Sequence, residues 1–257
     1  MMDAERTTYI GIDPGDYRQL YTFAVLDGEQ MLIALGHGHL RDVLAYVGGR
    51  ATATVAISGP LRYNLGLIVQ EAVSSGLKPA PVIGESTDLR VAEYLLAARG
   101  APVTQTPALA RYCPRSIQRA VELSQCLWEI DYVSFPSTDA PRQVLEAQAE
   151  VCYWSMLGLE PFPAQSLEGR LQRQLALFEE KLPIPDPMDF FEEVTRFKLL
   201  KGVLPVKDIY TPGELNALVA AYTAWLAVRK PERVERVGLA DEGEIWLPLK
   251  RENEMRK

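Results

Sequence analysis

The sequence predicts a mixed α/β fold: an antiparallel three-strand meander joined to parallel strands, with helices on both faces of the sheet. Three observations carry this. From Tyr9 to Ile57 the chain repeatedly alternates in the period of two that marks strands; beyond Pro60 helical periodicity dominates; and one short apolar strand, Gln143 to Ala147, runs straight into a further helix.

The elements follow in order. Tyr9-Ile10-Gly11-Ile12-Asp13, Tyr21 to Leu26 and Met31 to Leu35 read as strands. Asp27-Gly28 between the second and third favours positive φ and so predicts an antiparallel hairpin. Leu40 to Val47 reads as a short helix, and Thr52 to Ile57 as a β-branched strand ended by Gly59-Pro60. Helices are expected at about Leu65–Val73, Asp88–Arg99, Ser116–Trp128, Glu150–Leu157, Leu167–Lys181 and Met188–Leu200. A last helix opens at Thr211-Pro212-Gly213-Glu214, where Thr caps, Pro takes the first helical position and Glu closes a capping box, and it runs to about Val228. Asp241-Glu242-Gly243 then turns the chain into a final extended segment, Glu244 to Leu249. No repeat or low-complexity linker divides the sequence. Residues 1–257 therefore read as a single domain with helix-rich insertions around 86–138 and 160–210, and the prolines of 183–187 mark a hinge or subdomain edge.

Composition bounds the function. With 47% hydrophobic and 24% charged residues in 257, the chain is an ordinary globular sequence that can bury a core. A net charge of −7 weighs against a sequence-independent electrostatic grip on nucleic acid by the whole molecule, but it leaves room for a local basic strip. Such a strip runs from Arg90 to Arg119: Arg90, Arg99, Arg111, Arg115 and Arg119 accompany the single acid Glu93. It reads either as a solvated helical surface or as a set of phosphate contacts. No apolar run approaches the roughly 20 residues of a membrane helix, and Met1–Thr8 is polar and charged rather than signal-like, so a soluble, cytoplasmic protein without a membrane partner is expected. Cys113, Cys126 and Cys152 lack CxxC spacing and outline neither a disulfide framework nor a thiolate zinc site.

Four residues stand where chemistry would sit. Asp13 closes the first strand and projects from the face opposite Ile10 and Ile12, at the strand's carboxyl end, where ligands collect in open α/β sheets. Ser58 holds the equivalent place on the fourth strand and neighbours Asp13 if the two strands are adjacent and parallel. Glu146 lies inside a strand, where an acid is costly to bury without a partner or a cation. Asn216 flanks the apolar stripe of the last helix near its N-terminus. Asp16 is a further acid able to reach the same space; Glu150 follows Glu146 by four, but the switch from strand to helix between them leaves its direction open, and Glu214 is explained by the capping box. His37-Gly38-His39 has a spacing compatible with metal binding but no evident third ligand. Ser58 is followed by Gly-Pro and not by a nucleophile elbow.

At these residues the chain carries a resemblance. Gly11-Ile12-Asp13-Pro14-Gly15 followed by a hairpin is similar to the opening of RNase H-like proteins, including RuvC-type resolvases and, more distantly, actin-like ATPases. Four more pieces narrow it: Val55 to Leu61; Arg90-Val91-Ala92-Glu93; Val144-Leu145-Glu146-Ala147 with Trp154 to Gly158 and Leu167 to Arg170; and Glu214 to Ala221. Together, from Tyr9 to Pro248, they resemble the domain of unknown function 429 family, predicted nucleases of the RNase H-like fold.

That resemblance implies a magnesium- or manganese-dependent phosphodiester hydrolase, in which acids from several strands and the last helix hold two divalent cations about 4 Å apart. Asp13 and Glu146 match the family's acids as metal ligands. The family's acids are replaced at Ser58 and Asn216, and Ala149 stands where proline is usual. Two of the four catalytic positions, Asp13, Ser58, Glu146 and Asn216, are therefore neutral, and one cation or none is expected. From the basic strip, Arg90, Arg111, Arg115 and Arg119 are the candidate phosphate contacts. The competing expectation is a catalytically inactive binding or scaffold protein with nucleic acid or another protein as partner. A nucleotide phosphohydrolase comes third, because no Gly-rich phosphate loop is evident.

Overall fold

The structure is a computed structural model that describes residues 7–15, 20–68 and 88–250. Eight strands form one mixed sheet: β1 (Thr8–Asp13), β2 (Tyr21–Leu26), β3 (Leu32–Gly38), β4 (Ala53–Ser58), β5 (Val133–Ser134), β6 (Arg142–Ala147), β7 (Val234–Leu239) and β8 (Gly243–Pro248). Their order is β3-β2-β1-β4-β6-β8-β7, with β5 beside the start of β6. The β1/β2, β2/β3 and β7/β8 pairs are antiparallel, and β1/β4, β4/β6 and β6/β8 are parallel. The expected meander and the neighbouring parallel strands are both present.

Two helical layers cover the sheet. On one face lie α1 (Leu40–Gly48) and α3 (Arg115–Glu129), whose Val43, Val47, Leu123 and Leu127 pack with Ile10, Ile12, Val55, Ile57 and Val144. On the other lie α4 (Ala149–Leu157), α5 (Leu167–Glu179) and α8 (Pro212–Arg229), packed with Tyr9, Ala56, Leu145 and Ala147. Among the described residues the remaining α-helices are α2 (Val91–Ala97) against β7, and the short α6 (Asp189–Glu193) and α7 (Arg196–Leu200).

Helix α8 sets the geometry of the site. Thr211 Oγ1 accepts from the Glu214 amide at 3.3 Å while a Glu214 carboxylate oxygen accepts from the Thr211 amide at 2.7 Å, so the capping box forms as its spacing requires. The helix lies on β1, β2 and β4 and is roofed by α4 and α5, so residues on nearly every side of it are buried. Its alanines allow this: a Cβ on Gly11 of β1 would stand 1.9 Å from the Ala217 carbonyl and 2.2 Å from the Ala221 amide. Backbone rests on backbone here, and the first turn of α8 is held at the carboxyl end of β1.

Several expectations are corrected. The helix expected over 188–200 is two short ones, because Val194 is extended and Thr195 caps anew, accepting from the Lys198 amide at 3.2 Å. The helix expected from Asp88 begins at Val91, since Arg90 is extended at its N-cap. Strand β7 was not expected: Val234-Glu235-Arg236-Val237 spaces its apolar residues three apart and lacks the period of two, and its pairing with β8 supplies the strand. The helix expected at Leu65–Val73 falls mostly outside the described residues, as does Asp16. Among the described residues no helix is long and apolar enough to cross a membrane.

Candidate functional site

The register of the sheet decides which polar residues meet. Ile12 aligns with Ile57 across β1/β4, and Ile57 and Ser58 align with Glu146 and Ala147 across β4/β6. Side chains alternate between faces. Asp13, Ser58 and Ala147 thus form one row on the α8 side, whereas Glu146 shares the opposite side with Val144 and Ile57.

On the α8 side the row opens into a cleft of about 770 Å³ whose walls include Asp13, Thr22, Ser58, Glu150 and Asn216. Asp13 is 8% exposed. The Asn216 amide nitrogen donates to Asp13 Oδ1 at 3.2 Å, and Asn216 Oδ1 is buried without a partner. The opposite orientation of that amide would face oxygen to oxygen, so the orphaned acceptor follows from the pair itself. The first turn of α8 closes in from above: a Cβ on Gly213 would lie 3.4 Å from Asp13 Oδ2 and 3.0 Å from Thr22 Oγ1. Thr22 pairs with Asp13 across the hairpin and bonds His37 Nδ1 at 3.0 Å. The two histidines part company, His37 turning to the cleft with Nε2 3.7 Å from Glu214 Oε1, and His39 leading into α1.

Glu150, in the first turn of α4, also reaches the cleft. One of its oxygens accepts from Arg173 Nη2 at 2.6 Å, and Arg173, 1% exposed, is anchored by the Phe162 and Gly169 carbonyls. The acid is therefore held in place from behind. Its position rests on where β6 stops and α4 starts.

Glu146 is not in the cleft, which corrects its expected role. It is fully buried and grips Arg90 with both oxygens: Nη1 donates to Oε2 at 2.9 Å and Nη2 to Oε1. The Leu61 amide fills Oε2 at 3.1 Å and Gln148 fills Oε1 at 3.3 Å. Arg90 also donates to Glu93, whose oxygens take the Thr106 amide and hydroxyl. Burial alone would depress the Arg90 guanidinium, yet the charges and hydrogen bonds of Glu146 and Glu93 hold it above its ordinary value. A cation would have to displace a buried bidentate arginine to reach Glu146.

The basic strip is corrected likewise. Arg90 has no exposed surface with which to meet a phosphate. Arg119 is 8% exposed, stacked 4.0 Å over the Tyr21 ring and bonded to the Gly15 carbonyl at 3.2 Å, with Nη2 buried and unpartnered. Arg99 pairs with Glu235 at 2.6 Å. Only Arg111 and Arg115 of the four expected contacts are exposed, and neither lines the cleft. Among the described lining residues there is no lysine or arginine.

The structure thus brings together Asp13, Ser58 and Asn216 and places Glu146 elsewhere. Thr22 and Gln148 are cleft residues that sequence reasoning passed over; the hairpin register would have found Thr22, as the partner of Asp13. Among the described residues no group of three or more His, Cys, Asp or Glu side chains is placed to hold a metal ion. No family model, curated protein or solved structure matches the chain.

Proposed function

We propose that the chain is an RNase H-like protein of nuclease lineage whose cleft binds and does not cut. The antiparallel meander followed by parallel β4 and β6 is the arrangement that the resemblance to the domain of unknown function 429 family implies. The observation that carries the reading is the Asn216–Asp13 hydrogen bond. At the position where the family pattern has a second acid, a neutral amide donates to the first, and the neighbouring places in the row are Ser58 and Ala147.

Two divalent cations need several carboxylates, both to fill their oxygen shells and to offset one another's charge. Asp13 is the one acid in the row, and Glu150 gives part of its charge to Arg173. These residues do not fit a pair of magnesium or manganese ions, so no hydrolytic step is assigned to them. What remains is a polar, open recess with fixed walls, suited to holding a partner.

The test is cleavage of single- and double-stranded DNA and RNA in manganese by the chain and by Asp13→Asn. The expected result is no cleavage by either. Metal-dependent cleavage that disappears with Asp13→Asn would make the chain an enzyme with altered ligands and overturn the reading.

A further inference from the structure

Between α5 and α8 the chain makes an excursion that the cleft does not use. Gln174, fully buried on α5, fastens both of its ends: Nε2 donates to the Pro185 and Asp208 carbonyls, each at 2.9 Å, and Oε1 accepts from the Tyr210 amide at 2.9 Å. Residues 186–207 lie outside that clip and hold α6 and α7, neither of which is seated broadly on another element among the described residues. The prolines that the sequence marks as a subdomain edge, within 183–187, stand at its entrance.

Helix α7 is closed at both ends although little covers it. Thr195 caps its start. At its end the Gly202 amide donates to the Leu199 carbonyl at 3.1 Å and the Val203 amide to the Lys198 carbonyl at 3.0 Å, a closure that needs the positive φ of Gly202, 67°. Its side chains are thus presented in set directions, and they are apolar. Leu200 is 81% exposed and Phe197 70%, and Leu199, Val203, Leu204 and Val206 are exposed as well. Single exposed hydrophobic residues need no explanation, but six within ten residues around one capped turn mark an interaction surface.

Cations stand among them. Residues 194–207 carry Arg196, Lys198, Lys201 and Lys207 and no acid, in a chain whose net charge is −7, so the other residues sum to −11. Lys201 Nζ lies 5.8 Å from the centre of the Phe197 ring, which puts cation and ring on one side. An occupant of this surface therefore has to bring both apolar side chains and negative charge. A flat anionic lipid surface or a phosphate backbone fits poorly, because acids flank the cations: Glu193 lies 3.5 Å from Lys198, and Asp208 lies 3.6 Å from Lys207. A second copy docking through the same patch would set four cations against four. A protein segment can place its carboxylates one at a time, at Arg196 and Lys201, which have no ion-pair partner among the described residues.

We propose that residues 194–207 are the docking surface for an acidic amphipathic segment of a partner protein, one that intersperses carboxylates with leucine-like side chains. Phe197 and Leu200 are the anchors it covers, and Arg196 and Lys201 the cations it pairs with. No residue of 186–207 lines the cleft, so this inference goes beyond the binding-only reading and holds or fails independently of it.

The experiment is fluorescence anisotropy of a labelled, amidated peptide with glutamate and leucine at helical spacing, titrated with the full chain at low and moderate salt. The same peptide with serine for leucine, and with lysine for glutamate, is titrated in parallel. Co-sedimentation with vesicles of equal parts phosphatidylcholine and phosphatidylserine, and sedimentation of the chain alone at rising concentration, test the other occupants. The glutamate-leucine peptide is expected to bind, more weakly as salt rises, and each altered peptide to lose roughly tenfold or more. Phe197→Ser with Leu200→Ser, and Arg196→Glu with Lys201→Glu, should each weaken binding roughly tenfold while leaving thermal unfolding unchanged, because these side chains are exposed. Leu159→Ser and Arg41→Glu make the same kinds of change at exposed positions outside the surface and should leave binding unchanged. Absence of peptide binding, or equal weakening by the outside variants, would overturn the proposal. Binding that survives serine for leucine would mean diffuse charge attraction and would overturn it too. Vesicle binding lost with Phe197→Ser and Leu200→Ser would reassign the surface to lipid, and self-association lost with the same pair would reassign it to a second copy; either overturns the acidic partner.

Discussion

On the Val144 side of the sheet, Glu146 has both carboxylate oxygens filled by Arg90, the Leu61 amide and Gln148, out of reach of water. On the α8 side, at the same edge of the sheet but on β1, Asp13 faces an open cleft beside an amide whose oxygen is orphaned. The first arrangement is closed and self-sufficient: Glu146, Arg90 and Glu93 tie β6, α2 and the Thr106 segment together. The second is open to solvent along the cleft. The contrast teaches that burial of an acid in a strand does not by itself place it at a cleft: Glu146 is spent on the interior, whereas Asp13 lines the open side.

The largest test of that contrast is Glu146→Ala, which leaves Arg90 charged and unpaired in the interior. It should cost about 3–5 kcal/mol in denaturant unfolding, whereas Asp13→Asn, facing the cleft, should cost no more than about 1 kcal/mol. If the two losses came out alike, the two sides would not differ as described. Next comes Gly11→Ala. Its Cβ would collide with the α8 backbone, so a loss of about 2–3 kcal/mol or more is expected by thermal unfolding, together with displacement of Asn216 from Asp13. An unchanged melting temperature would show that α8 is not seated on β1 as found.

A smaller effect sharpens the picture of the closed side. Tyr132 is 2% exposed there and donates to the Val47 carbonyl at 3.1 Å; burial pushes its phenol up to about 12 from 10.0, against a lowering pull from Arg142 and Arg50. Because the folded value is the higher one, its contribution is complete below pH 10 and is lost as pH rises toward 12. Stability of the wild type should therefore fall over that window by on the order of 2 kcal/mol more than that of Tyr132→Phe. Parallel pH curves for the two would refute the assignment.

Much of the fold was legible. Alternation in β1, β2 and β4, the Asp27-Gly28 turn and the Thr211–Glu214 capping box act through local chemistry, and each appears where its residues stand. The adjacency of Asp13 and Ser58 followed from strand parity once β1 and β4 were neighbours. Parity could not be read for Glu146, because β6 is buried on both sides and Val144, Leu145 and Ala147 are apolar whichever way they point. Its partner Arg90 lies 56 positions away, beyond reach of any local pattern. Distance also hid the fate of the basic strip: Arg90 and Arg119 turn inward to residues remote in sequence, one to Glu146 and one to Tyr21 and Gly15. Glu150 depended on where β6 ends and α4 begins, a junction that one residue would re-aim.

The most direct measurement is manganese binding by calorimetry, comparing this chain with the Ser58→Asp, Asn216→Asp double variant. The account predicts weak or undetectable binding by the chain and clear binding by the variant, since the two changes restore charge to the row beside Asp13. Tight binding of two ions by the unaltered chain would contradict it, because Ser58 and Asn216 would then be working ligands and the cleft that of a nuclease.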